Sequence, residues 1–343
     1  MIDVFYGVLA GVMGVLPIHY NALLELLRDY EGVALFSVSL SFSVIFFQVF
    51  SASKLIPVIP LPEKLDSNQA LNVGLKTVFL AFVFSLALTP FHFIFAPLLK
   101  GVLEPVYFPA LFLLVAFFLS QRNWWFALLF AGSGLMGLVS FSLPLKNSLL
   151  VLFTGFFALP ALFLKESAVK PVFSEKAVFL SVLLSSFSSL FPAMTPFFIA
   201  SIVILFFEQH FFSSVWAVMV SKTFFDLVSV YSLNATRSLP AVIIHESKLP
   251  VEVMLSAVIC AFGFSFLFFS LLSPVLKKID FKSMNFFIGL LLVFLVFYFD
   301  SFLGLLVLSV SFSWGCCSLF SKTPASALTG ALIVPSLLFF SGI

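Results

Sequence analysis

Lys222 and Asp226 are the residues of this sequence whose types and spacing most clearly could do chemistry. They lie four residues apart within an apolar stretch, 211–233, that is long enough to form a membrane-spanning helix. That spacing places both side chains on one helical face, where they can neutralise each other as a structural ion pair. They can instead line a watery cavity, where Lys222 would hold an anionic solute and Asp226 would tune its charge or take part in ion coupling. The sequence leaves both interpretations open.

A second group of candidate residues surrounds a proline at Pro17, inside the apolar segment 4–29. Proline removes an amide donor and clashes with the preceding turn, so one straight helix is not expected there. His19 and Asn21 are the nearby side chains that could satisfy the freed backbone groups or bind a ligand. A helix starting close to Pro17 would favour an anion at its positive dipole end. A proline kink capped by the same side chains is the structural alternative.

A matching break is predicted in the apolar segment 177–207, which contains Pro192 and Pro196. Residues around this break could line a polar cavity or bind a solute, and the candidates are Ser188, Ser189, Pro192 and Thr195. Small hydroxylated residues also serve helix packing in membranes and can donate to backbone carbonyls. Each serine therefore has a structural interpretation as well as a ligand-binding one.

The two breaks are related by a fixed offset along the chain. Pro17 and Pro192 lie 192 − 17 = 175 residues apart. Two further pairs share this offset: Thr154-Gly155 with Thr329-Gly330, and Pro160 with Pro335. Because the offset is about half of the 343 residues, we expect a duplicated chain with repeats at 1–170 and 171–343. Interrupted helices at matching places in two halves are typical of secondary transporters.

The composition places the chain in a membrane. Hydrophobic residues make up 62% of the sequence and charged residues 9%, against roughly 45–50% and 25% in soluble domains. Apolar runs of about 20 residues predict five spans after each broken segment. They lie at 33–53, 77–99, 105–121, 124–144, 147–164, 211–233, 251–275, 284–299, 301–320 and 325–343. The sequence therefore predicts an all-α polytopic protein of the cytoplasmic membrane.

The distribution of Lys and Arg predicts how the segment 177–207 sits in the bilayer. Cytoplasmic loops are enriched in these residues, and the asymmetry between the two sides is larger if both broken segments enter and return as hairpins. Five crossings between the hairpins then invert the second repeat relative to the first, with the two tips near the midplane. Asp300, between two predicted spans, is expected to be solvated.

Other functional classes have little support in the sequence. His19, His92, His210 and His245 are dispersed, without metal-ligand spacing, and no Gly-rich phosphate loop is present. We therefore expect no catalytic residue, no metal and no cofactor apart from a coupling Na⁺ or H⁺. The net charge of +2 without a basic cluster indicates no nucleic-acid partner. An intramembrane enzyme stays a third hypothesis, which would need His, Asp or Glu side chains that converge in space.

In their order along the chain, these motifs resemble those of the TctA-like permeases, the large membrane subunit of tripartite tricarboxylate transporters, and specifically their archaeal-type branch. The first tip of that branch reads Pro-Gly-x-His-x-Asn and the second reads Pro-Gly-x-x-Pro. The matching positions are Pro17, His19 and Asn21, with Ile18 for glycine, and Pro192 and Pro196, with Ala193 for glycine. Further similarity lies in 152–162, 231–238 and 304–335, so the resemblance covers nearly the whole length.

The resemblance implies an inverted-repeat secondary transporter with cation-coupled uptake of organic polyanions such as citrate. It also implies a small membrane subunit and an extracytoplasmic binding protein as partners, and it leaves a homodimer open. We therefore expect a permease for a small anionic solute of the di- or tricarboxylate class, embedded in the lipid bilayer. The alternative is a translocase of a polyprenyl-phosphate lipid, which would use the same positive helix ends for its phosphate.

Overall fold

The structure is a computed structural model of the 343-residue chain. It describes residues 2–3, 6–7, 32–54, 67–103, 112, 115–116, 120, 123–161, 172–191, 194, 196–207, 210–276, 281–321, 323 and 325–341. Regular secondary structure in these residues is helical, with no β-strand among them.

The helices follow one another in the order of the predicted spans. In the first half they are α1 Val33–Lys54, α2 Ser67–Leu103, α3 Trp124–Ser142 and α4, in which Ser148–Phe153 continues through a π-helical turn, Thr154–Ala158, into Leu159–Ala161. In the second half they are α5 Glu175–Ser188, α6 Pro196–Phe206, α7 Phe211–Ser232, α8 Leu239–Ser247, α9 Val251–Leu276, α10 Phe281–Phe320, a 3-10 helix Ala325–Thr329 and α11 Gly330–Ser341.

Five of the described stretches are long and apolar enough to cross a membrane: Leu71–Val102, Trp124–Ser142, Phe212–Ser232, Val251–Leu272 and Gly289–Phe320. Shorter apolar helices occupy Val33–Phe46, Ser148–Ala158 and Ala327–Leu338. The chain is thus an all-α polytopic membrane protein, as the sequence predicts. The predicted span 105–121 and the first broken segment, 4–29, lie almost entirely outside the described residues.

α10 consists of two arms that meet at Ser301, where φ is 55° and ψ is −150°. A side-chain carbon added at Gly304 would stand 3.2 Å from Val296 Cγ1. In a straight helix these two residues would be about 12 Å apart along the axis, so the chain must reverse between them. The reversal confirms that 284–299 and 301–320 are separate helices.

The predicted second broken segment begins and ends on the same side of the helix bundle. Ser213 Oγ at the start of α7 donates a hydrogen bond of 2.8 Å to the carbonyl oxygen of Val172, just before α5. His210 Nδ1, which follows α6, lies 3.3 Å from the same oxygen. α5 and α6 also contact each other, and both pack against α7. These contacts confirm a helical hairpin, which we call the α5–α6 hairpin.

Two contacts at the opposite end of the bundle agree with this hairpin. Lys100 Nζ donates to the carbonyl oxygen of Leu233 at 2.9 Å. Asp300 Oδ1 accepts from the backbone N–H groups of Lys146, at 2.5 Å, and Asn147, at 3.1 Å. The hairpin topology places residues 100, 146, 233 and 300 on one side of the membrane, whereas a single crossing at 177–207 would separate them.

Asp300 corrects one prediction. The sequence suggested a solvated carboxylate, but the residue is only 7% exposed. Its Oδ1 holds the turn before α4, and Oδ2 is buried without a hydrogen-bond partner among the described residues. The side chain is buried because the turn at Ser301 packs against the turn between α3 and α4.

α7 is the central helix of the bundle. In an apolar stretch of 18 residues within α7, 89% of the residues are buried, compared with 28–39% in the corresponding stretches of the other four candidate spans. It contacts α1, α2, α5, α6 and α8. On one side, the ring of Phe224 meets Phe82 of α2 edge to face at 6.1 Å. Any charged side chain on α7 therefore faces other helices rather than lipid.

Glycines form close seams between α3 and α11 and between α4 and the second arm of α10. At Gly137 of α3, an added side-chain carbon would collide with the carbonyl oxygen of Ala331 on α11. Gly155 and Gly315 bring α4 and the second arm of α10 together in the same way. Both seams depend on the absence of a side chain, because the backbone of one helix fills the space.

Gly137→Val should destabilise the protein by about 1–3 kcal/mol, the usual cost of overpacking. Gly263→Val is the matched control, because it lies in another apolar helix with no atom within 4 Å of the added carbon. Thermal unfolding in detergent should show a lower midpoint for Gly137→Val alone. Equal midpoints for the two variants would show that α3 and α11 do not pack as closely as described.

The topology predicts which loops share a side of the membrane. In a background with Cys260, Cys316 and Cys317 replaced, cysteines at Lys146 and Lys248 should react with an impermeant maleimide from one side. Cysteines at Lys176 and His210 should react from the other side. Labelling of sealed vesicles of known orientation measures this. Reaction of positions 176 and 210 from opposite sides would show that the α5–α6 segment crosses.

Candidate functional site

Lys222 and Asp226 form the ion pair that their spacing predicts. Lys222 Nζ donates to Asp226 Oδ1 along one face of α7. Their side chains are 5% and 8% exposed. A charge removed from water to this extent needs a partner, so the two groups stabilise each other where either one alone would be strongly disfavoured. The pair lies on the most buried helix of the bundle.

Ser188 and Ser189 lie at the end of α5, next to the predicted tip, and both are buried. Ser188 Oγ donates to the carbonyl oxygen of Ser185 at 2.8 Å. Ser189 Oγ donates to the carbonyl oxygen of Ser186 at 2.7 Å. Both bonds fit the structural interpretation of these serines, in which a hydroxyl donates to a backbone carbonyl. A ligand role for the two serines stays a prediction.

Arg237 satisfies the backbone carbonyls that the break leaves without helical donors. Its Nε donates to the Ser189 carbonyl oxygen at 3.0 Å and its Nη2 to that of Leu190 at 2.9 Å. The guanidinium also lies close enough to Asp226 to attract the carboxylate. Since Arg237 follows the C-terminal end of α7, the end of α5 reaches that end of the bundle, where Leu190 also packs with Leu233. The prediction that this tip lies near the midplane is therefore wrong.

His92 of α2 joins the hairpin from the other side. Its Nδ1 lies 3.0 Å from Ser186 Oγ on α5. The imidazole packs on the ring of Phe225, next to Asp226 in the chain, with 5.0 Å between ring centroids. Only 4% of His92 is exposed. The hairpin is thus held by a histidine of the first half and an arginine of the second.

The structure brings together the predicted residues of the second half only in part. Ser189 and Asp226 share Arg237 as a neighbour. Five of the predicted site residues lie outside the described residues: Pro17, His19, Asn21, Pro192 and Thr195. Their proposed roles, and a site shared between the two tips, stay predictions.

Two residues of this region were missed by the sequence interpretation. In the sequence, His92 is one of four dispersed histidines, and Arg237 is notable only as part of the similarity at 231–238. The available signal was the position of His92 inside the apolar span 77–99, because an ionisable residue there is costly and usually functional. For Arg237 no local signal exists, since its partners lie 47 and 48 residues earlier in the chain.

The charged side chains of α7, together with Arg237, carry a net positive charge. Lys222 and Arg237 supply two cations and Asp226 one anion. α6 begins at Pro196, so its positive dipole end also points at the tip. Within the described residues, no three His, Cys, Asp or Glu side chains are placed to hold a metal ion.

No family model, curated protein or solved structure matches this chain. The features that characterise the site are a buried ion pair on the central helix and a returning hairpin held by Arg237 and His92.

Proposed function

We propose that the protein is a permease of the secondary-transporter type that moves a small organic anion across the cytoplasmic membrane. The observation that carries the proposal is the buried Lys222–Asp226 pair on α7, the helix against which the α5–α6 hairpin packs. Charges inside a membrane protein are costly, and they typically mark the path of a solute or ion. A broken helix beside them exposes polar backbone groups where a solute can bind.

The net charge of Lys222, Asp226 and Arg237 supports an anionic solute. Asp226 neutralises one of the two cations, which leaves one positive charge and the N-terminus of α6. A carboxylate group would complete the balance and could accept hydrogen bonds from Arg237 or from backbone N–H groups. Di- and tricarboxylates are the class that fits this chemistry together with the resemblance to TctA-like permeases.

The contacts between helices support a duplicated chain. With an offset of 175, α7 corresponds to α1, α9 to α2, the second arm of α10 to α3, and the 3-10 helix with α11 to α4. α1 packs against α9 and α2 against α7, while α3 packs against α11 and α4 against α10. Whenever a helix of one half packs against a helix of the other, their two corresponding helices also pack against each other. A two-fold relation between the halves requires this. The Thr-Gly motif marks a change of helix type in both halves, at Thr154 and at Thr329.

The directions of these helices support inversion of one half. Phe42 and Phe46 of α1 meet Phe262 and Phe269 of α9 in the same order along the chain. His92 of α2 contacts Phe225 of α7, and Lys100, later in α2, contacts Leu233, at the end of α7, so these two helices also run in the same direction. If consecutive helices α1 and α2 run in opposite directions, then α1 and its counterpart α7 also do. Inverted halves are what alternating access requires.

Cation coupling, a small membrane subunit and an extracytoplasmic binding protein are parts of the proposal that depend on the family resemblance. Of these, cation coupling also suits the fold, because a broken helix with a buried ion pair is suited to ion-coupled transport.

Uptake of a panel of di- and tricarboxylates by protein reconstituted in liposomes tests the proposal. We expect saturable uptake of at least one of them, stimulated by an inward Na⁺ or H⁺ gradient and reduced in Asp226→Asn. Lys176→Met, which alters an exposed charge at the start of α5, should behave as wild type. Failure of every carboxylate, with transfer of a polyprenyl phosphate between leaflets, would replace the proposal with a lipid translocase.

A further inference from the structure

A buried histidine lies where the first half of the chain meets the hairpin of the second. His92 is inside the apolar span Leu71–Val102 and is 4% exposed. Its Nδ1 lies 3.0 Å from the hydroxyl oxygen of Ser186, 94 residues later in the chain. The imidazole is therefore fixed between α2 and α5 and is part of the contact that holds the hairpin.

The second nitrogen of this ring is unsatisfied. His92 Nε2 is buried and has no hydrogen-bond partner among the described residues. In a neutral imidazole it is either an N–H without an acceptor or a bare nitrogen without a donor. Either state carries the desolvation cost of an unpaired polar group, about 1–3 kcal/mol. Native structures rarely keep such a group without a function.

Among the residues that the structure describes, the groups around His92 leave a positive charge on the ring without a counter-ion. α5 contributes the Ser186 hydroxyl and α7 contributes the Phe225 ring. The charged residues on α7 are Lys222 and Asp226, which already neutralise each other. On α2 itself, Thr89 donates its hydroxyl to Ser85, and the charged residues, Lys76 and Lys100, are both cations. The remaining helix packed on α2 is α1, whose polar side chains at 33–46 are serines, and the charges of α5 lie at its exposed start, Glu175 and Lys176.

We propose that His92 Nε2 binds the proton that is coupled to solute transport, and that a carboxylate of the solute is its counter-ion. This inference depends on the proposed function. The Nε2 lone pair takes a proton from water on one side of the membrane, which forms an N–H bond, and returns the proton to water on the other side. The proton and the anion then stabilise each other inside the protein, so they cross together.

Thermodynamic linkage gives the proposal a measurable form. If a proton on His92 raises the affinity for the solute, the solute must raise the affinity for the proton by the same factor. Citrate should therefore bind more tightly as the pH falls, and it should increase the charged fraction of His92 at a fixed pH.

His92→Asn is the main test variant, because the Asn side chain can still bond to Ser186 but has no nitrogen that binds a proton. In proteoliposomes, His92→Asn should keep exchange of labelled citrate, whereas stimulation by an inward proton gradient should fall by about tenfold, within the usual range of coupling. His245→Asn is the matched control, since His245 is exposed and bonds to Asn234. It should respond as wild type.

Ser186→Ala separates protonation from anchoring of the hairpin. The variant keeps the imidazole but removes its hydroxyl partner. The response to the proton gradient should persist in Ser186→Ala. If Ser186→Ala and His92→Asn lose the gradient response equally, His92 only anchors the hairpin and the proposal is wrong.

Direct observation of the ring separates this inference from the proposed function. In protein labelled with ¹⁵N-histidine and placed in nanodiscs, the resonance missing from His92→Asn identifies the residue. With citrate present, the ring should change from neutral to charged as the pH falls, and it should do so at a higher pH than without citrate. A ring that stays neutral throughout overturns the inference even if citrate is transported. A ring that titrates in a protein that transports no carboxylate supports the proton site and overturns the proposed function.

Discussion

Asp226→Asn should lower the free energy of unfolding by about 3–5 kcal/mol, the cost of leaving one member of a buried ion pair uncompensated. Solute uptake should be lost with it. The cost is large because Lys222 would keep its charge on α7, the helix in which 89% of an apolar stretch of 18 residues is buried. Thermal unfolding in detergent and uptake by proteoliposomes measure the two effects. Lys176→Met, at an exposed position, should change neither.

A double variant decides whether the pair has a role beyond structure. Lys222→Met with Asp226→Leu removes both charges and keeps apolar volume, and such replacements are often neutral or stabilising. We expect this variant to regain wild-type stability but not transport. Recovery of both would identify the pair as purely structural, and the proposed anion site would then have to lie elsewhere.

The fold was predictable from the sequence because its main signals are local. Apolar runs of sufficient length define the spans, and prolines at 192 and 196 interrupt one of them. The Lys222–Asp226 pair was predictable for the same reason, since a spacing of four residues fixes one helical face. The unequal distribution of Lys and Arg between loops was enough to predict that the segment 177–207 enters and returns as a hairpin.

The surroundings of the site were not predictable, because they depend on which helices meet. His92 and Ser186 are 94 residues apart, and Asp300 is 154 residues from Lys146. A histidine, a serine or an aspartate in an apolar sequence carries no information on its distant partner. Asp300 shows the consequence: its position between two spans suggested solvent, whereas packing of two turns against each other buries it.

Under the proposed permease function, Arg237 makes a long-range contact that would control movement of the α5–α6 hairpin. Its guanidinium holds two consecutive carbonyl oxygens, those of Ser189 and Leu190, and so fixes the end of α5 against the end of α7. A hairpin that takes part in alternating access needs such a contact to be stable in one state and broken in another. An arriving carboxylate can compete for the guanidinium, because charge-assisted bonds to carboxylate are stronger than bonds to carbonyl groups.

Arg237→Ala should therefore reduce both transport and stability. The two carbonyls would lose their donors, at about 1–3 kcal/mol for each group that stays buried and unpaired. Uptake should fall by at least about tenfold, which corresponds to about 1.4 kcal/mol. Lys248→Ala, at an exposed cation in the loop after α8, is the matched control and should leave both unchanged.

Arg237→Lys separates the charge from the geometry of the guanidinium. Lysine keeps the positive charge near Asp226 but presents a point charge instead of a planar fork, so it cannot hold both carbonyls in the same way. We expect partial recovery of thermal stability without recovery of uptake. If Arg237→Lys transports as wild type, the charge alone matters, and the bonds to Ser189 and Leu190 do not control movement of the hairpin.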